Sequence, residues 1–302
     1  MISQIRNIYF LKSKIKELLS KERSMKLFFY SKRFQKIFGL SKKDYISHYY
    51  KVIIELTPLT ELKEGEHHII NYKEKNKKYY HIYFGDSCVE TNKRTIKNDD
   101  NIKKIKIIID QNIKNFKDLF LYCNCLKGIK VLKCEGTHIV SMNSMFKGCS
   151  SLINLDVSKL KTDNVKTMKD MFCNCTSLQK VDLSNFNTAN VESMFCMFYG
   201  CSSLKQINID NFNTSKVKNM GSMFSSCSSL IYVNVSSFNT SNVENMSFMF
   251  KDCTSLINLN LTNFDFTKAY KGYCNCMFSN CQKSLATLVM AQNNMIEEYQ
   301  FH

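Results

Sequence analysis

Phe120, Phe146, Phe172, Phe198, Phe224 and Phe250 lie 26 residues apart, and each is followed three positions later by a cysteine: Cys123, Cys149, Cys175, Cys201, Cys227 and Cys253. A seventh pair, Phe278 and Cys281, follows after 28 residues. A fixed period of this size means one supersecondary unit stacked repeatedly, because a single unit cannot bury its apolar face alone. The spacing therefore restricts the chain to a repeat architecture of about seven rungs over 113–290.

One rung, Val191 to Lys216, shows what each unit contains. Val191, Met194, Met197, Phe198 and Cys201 fall at spacings of 3, 3, 1 and 3, which suits one face of a short helix or helical turn. Leu204, Ile207 and Ile209 then read as L-x-x-L-x-L, whose final alternation suits a short strand. Asn211, Phe212, Asn213 and Thr214 supply turn chemistry before the next unit. The same columns recur in register, including methionines at 142, 168, 194, 220 and 246 and at 145, 171, 197, 223 and 249. Their inward spacing makes them core. A further column, Phe186, Phe212, Phe238 and Phe264, is expected to stack as an internal spine.

The expected fold class is α/β: a leucine-rich-repeat-like solenoid with one short helix or helical turn and one strand per rung, forming a parallel sheet. Residues 1–112 are expected to form a smaller basic α+β segment that caps it, and 291–302 a polar tail. Ile105, Ile107, Ile108 and Ile109 read as the strand closing the N-terminal edge. Tyr79 to Phe84 reads as another strand, and the segment around Ile15 to Phe34 as amphipathic helices.

Charge divides the chain. Residues 1–141 carry 29 Lys+Arg against 15 Asp+Glu, whereas 142–302 carry 13 against 11, so nearly all of the net +16 sits in the first half. Such a balance suits an acidic partner or an anionic membrane face. The lysines are scattered and no RNA-binding motif accompanies them, so nucleic acid is not expected. No run of 18 apolar residues and no uninterrupted signal-peptide core is present, which places the chain in the cytoplasm by sequence.

Fourteen cysteines without a secretory signal read as reduced, buried thiols. Cys274, Cys276 and Cys281 form the one cluster worth testing for metal, although zinc needs four ligands and no histidine is near. No nucleophile with an oriented base, Walker motif or dinucleotide glycine motif occurs, so neither an enzyme nor a cofactor is expected. Sequons such as Asn213-Thr214-Ser215 arise from the repeat itself.

Binding is expected on the outward positions of the strands. The three columns are Ile153, Gln179, Lys205, Ile231 and Ile257; then Asn154, Lys180, Gln206, Tyr232 and Asn258; then Asp156, Asp182, Asn208, Asn234 and Asn260. Ile231, Tyr232 and Ile257 are expected to make an exposed apolar patch. Neighbouring asparagines of the third column are expected to bridge through their amides. Asp156 stacked on Asp182 is expected to repel, raising a pKa or holding a cation.

Met223-Phe224-Ser225-Ser226-Cys227-Ser228-Ser229-Leu230 and Ser237-Phe238-Asn239-Thr240-Ser241-Asn242-Val243 resemble the leucine-rich repeats of BspA-like surface proteins, a pattern also known from mycoplasma lipoproteins. The resemblance covers about 113–290. It implies a non-enzymatic protein-binding module, displayed at a cell surface and associated with adhesion. Residues 15–34, ending Ser31-Lys32-Arg33-Phe34, loosely resemble an F-box. That second resemblance implies an intracellular adaptor docking a ubiquitin-ligase complex while the repeats select a target.

Overall fold

The computed structural model describes residues 52–109, 113–135, 138–269, 276–282 and 285. The helices expected before residue 51, the end of the last rung at 286–290, the tail 291–302 and Cys274 lie outside the described residues. The chain divides into two compact units, Met1–Tyr50 and Lys51–His302, and everything below concerns the second.

The fold is mostly β with very little helix, which corrects the α/β expectation. In chain order the strands are β1 (Val52–Pro58), β2 (His67–His68), β3 (Tyr80–Phe84), β4 (Glu90–Thr91), β5 (Thr95–Ile96), β6 (Ile105–Ile109), β7 (Leu126–Cys134), β8 (Asn154–Asp156), β9 (Gln206–Ile207) and β10 (Tyr232–Val233). A six-stranded sheet runs β4-β3-β6-β1-β7-β8. It is mixed: β1 pairs antiparallel with both β6 and β7, whereas β7 pairs parallel with β8. The parallel sheet expected throughout is thus met only from β7 onwards.

The strand lying directly on the first repeat is β1, and β6 stands one strand further out. This corrects the assignment of Ile105–Ile109 to the edge of the repeats. Val52, Ile54 and Leu56 are fully buried, and the intervening residues face outward, the alternation of a half-buried strand. Pro58, which lacks an N–H, sits at the strand's last position, where a missing donor is tolerated.

The repeats stack in register. Rings 26 residues apart lie parallel, with centroids 5.7, 5.6, 5.2, 5.5 and 5.6 Å apart from Phe120 through Phe250, then 5.8 Å to Phe278. The long ring stack therefore runs through the first phenylalanine column. The second column is also buried, and there Phe238 and Phe264 stack at a looser 6.4 Å. The ten methionines named above are fully buried, as their spacing requires.

No helix forms between Val191 and Cys201, nor in the equivalent segments. Each contains two β-turns in succession. Met197 N–H donates to the Met194 carbonyl at 3.1 Å, and Cys201 N–H to the Phe198 carbonyl at 3.1 Å. The third residue of each turn is left-handed, Cys196 with φ 53 and Gly200 with φ 69, as a type II turn demands. The N–H groups of those two residues, and of Met194 and Phe198 between them, donate to the next repeat: to Gly221, Ser225, Asn219 and Met223 carbonyls at 2.8–3.0 Å. A helix would direct these donors four residues back along its own axis. Here they knit one repeat to the next, so the apolar spacing of a helical face is met by paired turns. A strand is not formed in every repeat either; β8, β9 and β10 are two or three residues long, and others reduce to single bridges such as Asp182 with Asn208.

Two polar ladders close the remaining corners. Thr188 and Thr214, each 1% exposed, donate to the Asn213 and Asn239 carbonyls at 3.0 Å. Each hydroxyl also accepts the N–H of that same asparagine at 2.8 Å. Thr162 pairs in the same way with Asn187, and Thr240 with Asp265, so a buried hydroxyl is fully paired in four successive repeats. In the cysteine column each thiol donates back to a phenylalanine carbonyl of the preceding repeat, at 3.0–3.1 Å from Cys149 through Cys281.

Candidate functional site

The outward columns lie side by side on the sheet face, because parallel bridging sets residues 26 apart next to each other. Tyr232 pairs with Gln206 on one side and bridges Asn258 on the other. Ile231 and Ile257 are joined through their backbones, the Ile257 N–H donating to the Ile231 carbonyl at 3.3 Å. Ile231, Tyr232 and Ile257 are 46%, 49% and 58% exposed, so the apolar patch expected from the sequence stands open to solvent. Ile153 is exposed in the same column three repeats earlier. Lys180, Lys205, Gln206 and Asn258 are exposed around them.

Two shallow grooves run along this face. One, of about 550 Å³, is lined by residues of β1, β7 and β8 together with Lys180 and Asp182. The other, of about 450 Å³, begins at the same Lys180 and Asp182 and reaches Gln206 and Tyr232. The first groove shows what the repeat pattern alone missed. Glu55 and Thr57 of β1 form part of its wall, and Lys130 of β7 joins them. The signal was the alternation of Val52–Pro58, whose outward residues continue the face beyond the first repeat. At Gly128 a Cβ would stand 3.3 Å from the Thr57 Cβ, so a glycine there permits the close approach of β1 to β7.

The third column behaves otherwise than expected. Each member accepts the backbone N–H two residues on: Asp156 from Ser158 at 3.1 Å, Asp182 from Ser184 at 2.9 Å, Asn208 from Asp210 at 3.0 Å, Asn234 from Ser236 at 3.1 Å and Asn260 from Thr262 at 3.0 Å. These side chains shape turns. No amide ladder joins the asparagines; Asn234 donates instead to the Asp210 carboxylate at 2.8 Å. The expected rise in pKa is not found, although the repulsion itself acts on Asp182. The Ser158 hydroxyl, then its amide and Lys130 at 3.5 Å, hold Asp156 below the ordinary carboxylate value. The Ser184 amide, then its hydroxyl, lower Asp182 in the same way, outweighing the opposing charge of Asp156.

The cysteines of the repeat columns, from Cys123 through Cys253, are buried and held as thiols. Burial raises Cys149 to about 12 and Cys125 to about 12, and pushes Cys175 and Cys227 well above the ordinary thiol value. Burial of this kind lowers the thiolate fraction on which thiol reactivity depends. The thirteen cysteines among the described residues are free, and no group of three His, Cys, Asp or Glu side chains able to hold a metal occurs among them. Cys281 itself is tied to the Phe250 carbonyl. No helix among the described residues is long and apolar enough to cross a membrane.

Stacked, mostly β repeats with an open face and buried thiols define a repeat protein. The chain belongs to the family described as Mycoplasma protein of unknown function, DUF285, whose profile matches residues 114–230 and 180–290. No curated protein and no solved structure matches it.

Proposed function

We propose that this chain is a non-catalytic recognition module: a leucine-rich-repeat-like solenoid of the BspA-like type that binds a protein ligand through the sheet face of its repeats. The observation that carries this is the adjacency of Ile231, Tyr232 and Ile257, large apolar side chains left open on a face whose backbone is otherwise satisfied. Fully burying such a side chain is worth about 1.5–3 kcal/mol, of which folding leaves about half unused. Tyrosine among aliphatic neighbours with a polar surround is the composition of an interface hot spot. Tethering the face to a cell surface would make the module adhesive, as the family resemblance implies. Localisation of the tagged chain tests that part separately.

The test of the binding reading is affinity purification with the wild-type chain, an Ile231→Glu/Tyr232→Glu variant and a control altered on the turn segments, Tyr122→Glu/Phe248→Glu. A specific protein retained by wild type and control but lost by the sheet-face variant supports the reading; retention by all three overturns it. Truncation at residue 112 is unsuitable, because it removes β1, β3 and β6 and uncovers β7. Removal of residues 1–50 respects the division of the chain into compact units.

A further inference from the structure

The reading above leaves the ligand's chemistry open, and the charges along the same face narrow it. The two grooves share Lys180 and Asp182, and the first shares Thr57 with a third groove of about 270 Å³ lined in part by Lys103 and Lys127. Together they form one continuous track from the end next to β1 to Tyr232.

Along this track two carboxylates are paired with lysines, and two keep their charge while accepting from neutral donors. Glu55 is paired with Lys104 at 2.7 Å, Asp156 with Lys130 at 3.5 Å, and Asp210 with the Asn234 amide at 2.8 Å. The Asp182 carboxylate accepts the Ser184 N–H at 2.9 Å. The basic groups divide differently. Lys97 is paired with Glu66 at 3.3 Å, but Lys103, Lys127, Lys180 and Lys205 have no ion-pair or side-chain hydrogen-bond partner among the described residues. The track therefore offers three uncommitted ammonium groups, Lys103, Lys127 and Lys180, and ends at Tyr232; Lys205 and Ile231 stand exposed on the adjoining outward column.

Resting on the sheet-face reading, we propose that the ligand is an acidic protein segment with an apolar end, lying extended across the strands. Its carboxylates meet Lys127, Lys180 and Lys205, and its apolar residue packs on Ile231 and Tyr232. The geometry fits such a segment. Lys127 and Ile231 share a column four repeats apart, about 20 Å at the ~5 Å spacing of neighbouring strands, which an extended segment of about six residues spans. Lys180 and Lys205 stand on adjacent repeats, in neighbouring columns and one residue out of register. A nucleic acid would meet the same cations, but it calls for several stacking aromatics, and this track carries only Tyr232.

The experiment is selection of a phage-displayed random dodecapeptide library on the full chain, with the recovered peptides measured on three proteins and at two salt concentrations. The expected result is enrichment of Asp and Glu beside an aromatic or aliphatic residue. Binding should weaken roughly tenfold or more in the Lys127→Glu/Lys180→Glu/Lys205→Glu variant and fall with added salt. It should also be lost in Ile231→Glu/Tyr232→Glu. Peptides that need Ile231 and Tyr232 but show no acidic enrichment and ignore the lysine reversals overturn the acidic ligand and leave the sheet-face reading standing. Peptides indifferent to both variants overturn both. Recovery of no peptide, together with lysine-dependent binding of a single-stranded RNA oligomer or of phosphatidylserine vesicles, likewise overturns the proposal.

Discussion

Replacing Thr214 with valine should destabilise the fold by an amount the structure fixes in advance. The substitution keeps shape and volume almost unchanged, so packing is not perturbed. It removes the hydroxyl that donates to the Asn239 carbonyl at 3.0 Å and accepts the Asn239 N–H at 2.8 Å. Both main-chain groups then lose their partner at a position where Thr214 itself is 1% exposed. Each bond is worth about 1 kcal/mol, and an orphaned, part-buried group costs about 1–3 kcal/mol, so the expected loss is about 2–4 kcal/mol. In a domain of this size that lowers the melting temperature by roughly 5–15 °C. Thr214→Ser is the control: it keeps both bonds and gives up one buried methyl group, about 1 kcal/mol. Thermal and urea unfolding followed by circular dichroism measure both variants. A valine variant as stable as the serine one would refute the claim that reciprocal hydroxyl pairing holds adjacent repeats together.

Three further outcomes are expected. Stability should fall on the alkaline side: burial holds Cys149 near 12 against an ordinary 9.0, so the unfolded chain loses that proton first. The stabilisation is complete below pH 9 and is lost at about 1.4 kcal/mol per pH unit per such thiol as pH rises towards 12, a decline readable from urea midpoints at successive pH values. Thiol labelling of the native chain should modify the exposed Cys88 at once and leave Cys149, Cys175, Cys201, Cys227 and Cys253 unmodified until urea unfolds the repeats; peptide mass spectrometry reads the sites. Gly148→Ala should cost about 1–3 kcal/mol, because the residue has φ 72 and a Cβ there would stand 2.2 Å from the Tyr122 ring; the unfolding free energy checks it.

The columns were legible in the sequence because a 26-residue register repeats identity as well as hydropathy. Methionine, phenylalanine and cysteine each return to the same place, and buried positions vary less than exposed ones. The paired turns were not legible. An apolar spacing of 3, 3, 1 and 3 is compatible with a helical face and with two turns alike, and only hydrogen bonds to the next repeat tell them apart. The clue was Gly148 and Gly200 at equivalent positions, but the same left-handed column carries Tyr122, Asn174, Ser226 and Asp252, which hide a glycine signature. The sheet-face site was legible wherever outward alternation was regular, which is why Ile231, Tyr232 and Ile257 emerge together. The lowered pKa values of Asp156 and Asp182 were not legible, because the neighbour one repeat away is the weaker influence. Ser158 and Ser184, two residues on in the same chain, decide their charge. The contribution of β1 was hidden for a different reason: its pairing with β7 joins residues about seventy apart and obeys no repeat.

The central claim, that the sheet face binds while the repeated columns only support it, is tested most directly by hydrogen exchange of the full chain with and without its captured ligand. The account predicts slowed exchange at 128–130, 154–156, 180–182, 206–208 and 232–234, with the turn segments around Tyr122 and Phe248 unchanged. Protection confined to those turn segments, with the sheet face exchanging as in the free chain, would contradict it.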